Sequence, residues 1–273
     1  MNPSVNKSLS QALDLLLLFD ADHPLYTVAE ISRCLHFSQA KTYRLVRTLV
    51  RYGFLQADEQ TARYTLGLNT LRLGLVAQQR FNLGAMARPF MVDLSRLTKE
   101  TVLLTVVNGT RGIILEAVES EEPIRYAYFK AGTSLVLHCG ASNKILMADL
   151  GEKEWDHIIS REGLKRYTPQ TYTRPEDLKG HLREIREKGY AFNDGEIYRD
   201  VRGVAAPVRN RLGEVVAGLG IAGPSYRVTK QKLKIFLKHV VQTSRKISAH
   251  LGHEIKKPAM NHGEGGDHAD RES

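Results

Sequence analysis

The chain has 273 residues, 42% hydrophobic and 25% charged, ordinary usage for a globular protein, which excludes a disordered or fibrous chain and leaves room for two domains. Its longest aliphatic or aromatic runs, such as Leu15 to Phe19, fall far short of the roughly 20 residues that cross a bilayer; no signal peptide is read at the start, and Cys34 and Cys139 are too few and too far apart for a disulfide framework or a cysteine-rich zinc site. A cytoplasmic protein with no membrane, metal or cofactor is expected, and the net charge of +9 permits a polyanionic partner without requiring one.

The first seventy residues are mostly helical in pattern. Leu9, Leu13, Leu16 and Leu17 share one side of a helix, predicting an amphipathic first helix closed by His23-Pro24. Thr27-Val28-Ala29-Glu30 is a capping box that opens a short second helix with Val28, Ile31 and Leu35 buried and Cys34 on the same apolar side. Ser38 caps a third helix that runs to about Tyr52 and stops at Gly53. Phe54 to Ala57, a polar turn over 58–61, and Arg63 to Leu66 read as a small hairpin. Helix, short helix, helix, hairpin is the winged helix-turn-helix order.

Helical periodicity then resumes through Leu68, Leu71, Leu75, Met86, Phe90, Leu94 and Leu97, with Pro89 expected to kink or start the later helix. From Thr101 the texture changes. Strands are predicted at 101–107, 113–118, 204–208 and 215–221, with a possible further one at 124–128. Helices are predicted near 142–150, 153–160 and 175–188, the last opened by Thr173 or Pro175 and stopped by Gly189. A long helix from Thr229 to Leu251 closes the fold. The fold class is α+β: a winged helix-turn-helix over 1–67, a linker helix over 68–82, an antiparallel sheet with helices over 83–252, and a flexible tail over 253–273.

Residues 1–70 carry seven Lys/Arg and six acids, so the distribution matters more than the total. A wheel of the third helix puts Leu45, Val46, Leu49, Val50 and Thr42 on one side; Lys41, Arg44, Arg47 and Arg51 lie opposite, with Ala40 between them and Tyr43 at the edge. A recognition helix needs this division, an apolar side held by its own domain and long donors aimed at the major groove. The candidate double-stranded DNA contacts are Gln39, Ala40, Lys41, Tyr43, Arg44 and Arg47, with Arg63 from the wing.

The sequence resembles the IclR family of bacterial transcriptional regulators over roughly residues 5–252. The N-terminal match is Lys41-Thr42-Tyr43-Arg44-Leu45, Gly53-Phe54-Leu55 and Tyr64-Thr65-Leu66-Gly67. The C-terminal match runs from Gly132 to His138, through Lys144-Ile145-Leu146-Met147-Ala148, Gly189-Tyr190-Ala191 and Glu196, to Gly203-Val204-Ala205-Ala206-Pro207-Val208 and Gly213 through Arg227. The resemblance implies a GAF-like effector domain, a small organic-acid effector, and dimers that often pair into dimers of dimers. It carries effector roles onto Gly132, Thr133, Ser134, Leu135, His138, Asn193, Glu196, Gly203, Gly220 and Ala222. Asn193 stands where the family often has an acid, Gly203 where it often has a cysteine, and Gly220 and Ala222 where it often has serines. Smaller side chains there predict a roomier pocket and a bulkier effector, an aromatic or branched acid, with Gly132, Thr133 and Ser134 left to hold the carboxylate.

Two other readings stay open. One is an enzyme using His138 and Cys139, although neighbours on a strand point to opposite faces. The other is a DNA-binding dimer that takes no ligand at all. His138 itself could line the pocket or satisfy a loop carbonyl, and Cys139 reads as a small buried residue.

Overall fold

A computed structural model describes residues 6–253 apart from 21–22, 59–60, 81–82 and 126–128; the expected tail after His253 lies outside the described residues. Helix α1 (Lys7–Leu16) opens on Asn6, whose side chain accepts from the Leu9 amide. Helix α2 (Val28–Leu35) begins with the Thr27/Glu30 capping box complete in both directions. His36, left-handed at φ 54°, turns the chain into Ser38, the N-cap of α3 (Gln39–Arg51). After Gly53, also left-handed at φ 68°, strands β1 (Leu55–Asp58) and β2 (Arg63–Leu66) pair antiparallel, and Tyr26 bridges to Tyr64 along the outer side of β2. Leu15, Phe19, Ile31, Val46, Leu49 and Leu55 fill the core of this unit.

Two expectations fail in this unit. Leu15 is the buried residue of α1, and Leu9, Leu13 and Leu17 are exposed. The helix is apolar on two sides; Leu15 and Phe19, one turn apart, face the core with half-buried Leu16 beside them, while Leu9, Leu13 and Leu17 face out, and periodicity alone does not tell which side a domain uses for its own core. Cys34 is exposed rather than buried. Helix α2 has only eight residues, so Val28, Ile31 and Leu35 complete its inner face and Cys34 falls at its edge, beside His23 and Pro24.

Helix α4 (Leu68–Arg80) leads to α5 (Leu83–Thr98), which carries Pro89 inside it, so the proline does not start the helix. Strands β3 (Thr101–Asn108), β4 (Arg111–Val118) and β5 (Ser134–Val136) come next. Helices α6 (Ala141–Asp149), α7 (Glu152–Glu162) and α8 (Pro175–Lys188) follow; the N-cap of α8 is Arg174, with Pro175 in the first turn. Then β6 (Ala191–Asp194), β7 (Val201–Arg209), β8 (Val215–Pro224) and α9 (Lys230–His250) complete the chain.

The sheet is antiparallel throughout, in the order β5-β4-β3-β8-β7-β6. Its two edge strands, β5 and β6, were not predicted. Ile124 and Arg125 form no strand, and 126–128 lie outside the described residues. One face packs on α5 and α9 through Met91, Leu94, Val102, Leu104, Leu219, Phe236 and Val240. The other packs on α6, α7 and α8 through Leu146, Met147, Trp155, Leu182 and Ala205.

A buried ion pair pins the start of β3 to the end of β8. The Arg227 guanidinium donates to both oxygens of Glu100, at 2.6 and 2.8 Å, and to the Ile124 carbonyl at 3.0 Å. Glu100 is 1% exposed, and a side chain at Gly223 would collide with its carboxylate. Removing one partner of such a pair strands a buried charge. Arg227→Met is therefore expected to lower the unfolding free energy by about 3 kcal/mol, read by urea denaturation through the fluorescence of Trp155, the one tryptophan of the chain.

Candidate functional site

The α3 face forms as the wheel requires. Thr42, Val46 and Leu49 are buried, with the Thr42 hydroxyl donating to the Ser38 carbonyl at 3.1 Å, while Gln39, Ala40, Tyr43, Arg44, Arg47 and Arg51 are exposed. Lys41 is half-buried because its stem lies along Phe37, the ammonium 4.3 Å from the ring centre. Arg47 leans over Tyr43. Among the described residues no carboxylate pairs with Lys41, Arg44, Arg47 or Arg51. Their donors are thus free for an external acceptor. Arg63 is engaged: its guanidinium lies 3.7 Å from Glu30. The Thr27 amide and hydroxyl hold the Glu30 carboxyl below its ordinary range, keeping it anionic opposite that arginine.

The second place of interest is a cavity of about 40 Å³ between α6 and the sheet. Of the residues the resemblance marks for an effector, Leu135, Asn193, Gly203, Gly220 and Ala222 line it. Gly132, Thr133 and Ser134 do not. The Gly132 amide is spent on the Ile114 carbonyl, Ser134 accepts from Arg111 at 2.8 Å, and the buried Thr133 hydroxyl has no partner. The expected enlargement is also absent. The Ile221 carbonyl stands where a side chain at Gly203 would begin, and Ala205 and Ser142 pack against Gly220, while Leu103, Phe129, Ile197 and Tyr198 close the rest of the wall, the Phe129 and Tyr198 rings edge to face at 6.4 Å. What remains holds a few water molecules.

The polar wall of the cavity was missed in the sequence. Gly140, Ala141, Ser142 and Asn143 all line it, and Gly140 gives α6 no side-chain cap. First-turn amides have no partner within a helix, so this turn offers donors, and a partial positive charge, to whatever occupies the cavity. Asn143 donates to the Cys139 carbonyl at 3.0 Å, but its side-chain oxygen is buried without a donor. The sequence signal was a Gly-Ala-Ser run opening a helix with no capping residue.

Glu196 and His138 have supporting places. One Glu196 oxygen accepts from the Gly140 amide at 2.9 Å and the other from the fully buried Lys144 ammonium. Lys144 also lies 3.0 Å from a ring nitrogen of His181. Burial, with the Lys144 charge beside it, pushes His181 down to about 4, so it is the neutral acceptor for that ammonium. His138 meets the Lys165 carbonyl at 3.3 Å, and burial lowers its pKa. Residues 137–140 form a turn rather than a strand. Cys139 is wholly buried, and burial, with the Glu196 charge nearby, raises its thiol to about 12. That favours a packed residue over a nucleophile. No group of three metal-ligating side chains is assembled among the described residues.

Two family models match the chain: the IclR helix-turn-helix domain over residues 8–59 and the C-terminal region of the bacterial transcriptional regulator IclR over 76–249. The HTH-type transcriptional regulator BhcR of Paracoccus denitrificans is 31% identical over 242 residues, 89% of this chain and 86% of that protein. The crystal structure of an IclR transcriptional regulator from Alicyclobacillus acidocaldarius superposes with a TM-score of 0.76 at 28% identity, covering 91% of this chain and all of that one. An IclR homologue from Microbacterium hydrocarbonoxydans, solved in complex with 4-hydroxybenzoate, shares the fold at a TM-score of 0.75 and 23% identity, covering 90% of this chain and 99% of its own.

The two thiols test the burial directly. At pH 8 an aromatic disulfide reagent is expected to modify Cys34 rapidly and Cys139 only after denaturation, one equivalent and then two. Rapid modification of both in the folded protein would reopen the catalytic reading of Cys139.

Proposed function

The chain belongs to the IclR family of bacterial transcriptional regulators, and from that premise we propose that it is a cytoplasmic homodimer whose grip on its operator is set by an organic acid bound at the first turn of α6. The α3 face carries the DNA half of this reading. Four cations without carboxylate partners project from a helix whose other side is locked into its own core. Arg44, Arg47 and Lys41 supply base or phosphate contacts, with Gln39, Ala40 and Tyr43 beside them at the helix start. Arg63 reaches a wing phosphate only by leaving Glu30, so its contribution is the smallest.

A dimer is supported by the apolar side chains left uncovered. Leu9 and Leu13 of α1, Leu17 just after it, and Leu68, Leu71 and Leu75 of α4 are all exposed. A second copy that buries them would form the dimer, and reading successive major grooves requires its two α3 helices to lie about 34 Å apart, or a multiple of it. Pairing of dimers through the C-terminal halves is compatible with the same contact.

The uncapped α6 turn carries the effector half. Its amides and dipole suit a carboxylate, and the homologue solved with 4-hydroxybenzoate is a protein of this fold that takes an aromatic acid. We favour a bulky or aromatic acid for a thermodynamic reason. A ligand shifts a regulator only by binding one arrangement better than another. A two-carbon acid needs little more than the existing cavity, whereas a ring must displace Phe129 and Tyr198 and so distinguishes two states. No helix among the described residues is long and apolar enough to cross a membrane. The relatives' role as regulators and the buried state of Cys139 favour binding over catalysis.

The test is binding to labelled duplexes from upstream of the chain's own and adjacent genes, with excess competitor and a panel of small and aromatic acids. Specific binding altered by an aromatic acid is expected; tighter calorimetric binding of glyoxylate or pyruvate than of any aromatic acid would refute the size argument. Arg44→Ala should weaken operator binding at least tenfold, about 1.4 kcal/mol, with acid binding unchanged. Full retained affinity would mean that this face of α3 does not meet DNA.

A further inference from the structure

A second concentration of positive charge lies outside the recognition helix and outside the N-terminal unit. Residues 1–70 carry only one more cation than acid, whereas α9 alone holds Lys230, Lys232, Lys234, Lys238, Arg245 and Lys246 with no acid in 21 residues. That is six of the net nine positive charges of the chain. All six side chains are exposed, because the helix buries Leu233, Phe236, Val240, Ser244 and Ile247. Among the described residues only Lys230 reaches a carboxylate, Asp194 at 3.7 Å.

As a merely solvated surface this arrangement is unfavourable. Lys230 and Lys232 sit in the first turn of α9, with Lys234 just beyond, where the helix dipole is positive and no acid opposes it. Lys230 with Lys234, and Lys234 with Lys238, are like charges one turn apart. At 100° per residue Lys234, Lys238 and Arg245 share one edge of the helix. A groove of about 840 Å³ runs along that edge, where the end of α8 and β7 add Lys188 and Arg209. Lys188 pairs with Glu184 and Arg209 lies near Asp149, so the free donors of the groove are those of α9.

We propose that the exposed face of α9 is a second nucleic-acid contact, which holds the phosphate backbone of duplex DNA outside the bases that α3 reads; it rests on the DNA-binding reading above. The helix is about 30 Å long, and a duplex of that length presents about 18 phosphate charges. Lysines and an arginine on flexible stems meet phosphates without regard to sequence, so this face adds affinity and salt dependence and no specificity. It gives a regulator whose DNA head is nearly neutral overall the electrostatic attraction that its composition otherwise lacks.

The experiment compares the full-length protein with K234Q/K238Q/R245Q, with a control of equal charge change, R96Q/K153Q/K165Q, and with R44A. Binding is measured on an operator-bearing duplex and on an unrelated duplex of the same length between about 50 and 200 mM salt. The α9 variant is expected to lose affinity for both duplexes by a similar factor, about tenfold, and its slope of log K against log salt should flatten by about one for each phosphate contact removed. Its ratio of specific to unrelated binding should stay at the wild-type value. The control should keep the wild-type slope, and R44A should lower the ratio instead. An α9 variant with the wild-type slope would overturn the proposal, as would a single-stranded RNA polymer competing better than duplex DNA for this face. A wild-type ratio of one would defeat the operator-reading role of α3 while leaving the α9 slope to be judged by itself.

Discussion

Lys144 lies wholly inside the protein with its ammonium against the Glu196 carboxylate, and the geometry of the C-terminal half around α6 hangs on that pair. Taking both charges out of water is costly unless every remaining donor and acceptor finds a partner. Here they do. The ammonium also meets neutral His181 and lies 5.5 Å from the centre of the Tyr172 ring, while the second carboxylate oxygen takes the Gly140 amide. The pair thereby ties the turn at 195–199 to the first residue before α6. Gly140 has no side chain to cap α6, and Ala141, Ser142 and Asn143, whose amides follow it, line the cavity.

The same economy separates the charges that fold the protein from those that act outward. Glu100 with Arg227, Glu162 with Arg111, and Glu196 with Lys144 are consumed internally. Side-chain hydrogen bonds from Thr110 and Arg111 keep the Glu162 carboxyl below its ordinary range despite its partial burial. Among the described residues, α3 and α9 each carry a run of cations with no acid on the same helix, and of these ten only Lys230 reaches a carboxylate. A basic net charge therefore says little by itself; its meaning lies in which cations the fold leaves unpaired.

What the sequence revealed follows the range of the interaction concerned. The Thr27/Glu30 box, the Ser38 cap, the stops at Gly53 and Gly189 and the inward Thr42 are settled within one or two turns of helix, and each was legible. The order and class of the larger elements also followed from periodicity. Leu15 was misjudged because α1 has two apolar sides, and Cys34 because a helix of eight residues buries too narrow a face. Strands β5 and β6, of three and four residues, exist by pairing to β4 and β7 and have little pattern of their own. Asn193, Gly203, Gly220 and Ala222, which the resemblance singled out, share one cavity wall, but the groups that limit its volume come from segments far apart in the chain, Phe129 and Tyr198 among its lining and Ser142, Ala205 and the Ile221 carbonyl against the glycines. Volume is a property of packing, so deleting side chains at three positions did not predict a larger space.

That packing also suggests how an occupied cavity would be felt at a distance. On β3, Leu103 lines the cavity while its neighbours Val102 and Leu104 point to the opposite face, against α5 and α9. On β8, Gly220 and Ala222 face the cavity while Leu219 belongs to the other core. A dense core transmits small displacements rather than absorbing them. An acid that pushed on Leu103 would therefore shift Met91 and Leu94 of α5 through the thickness of a single strand, and α5 lies next along the chain from α4. If the cavity is the effector site proposed above, the route from ligand to DNA head crosses the sheet at its central strands.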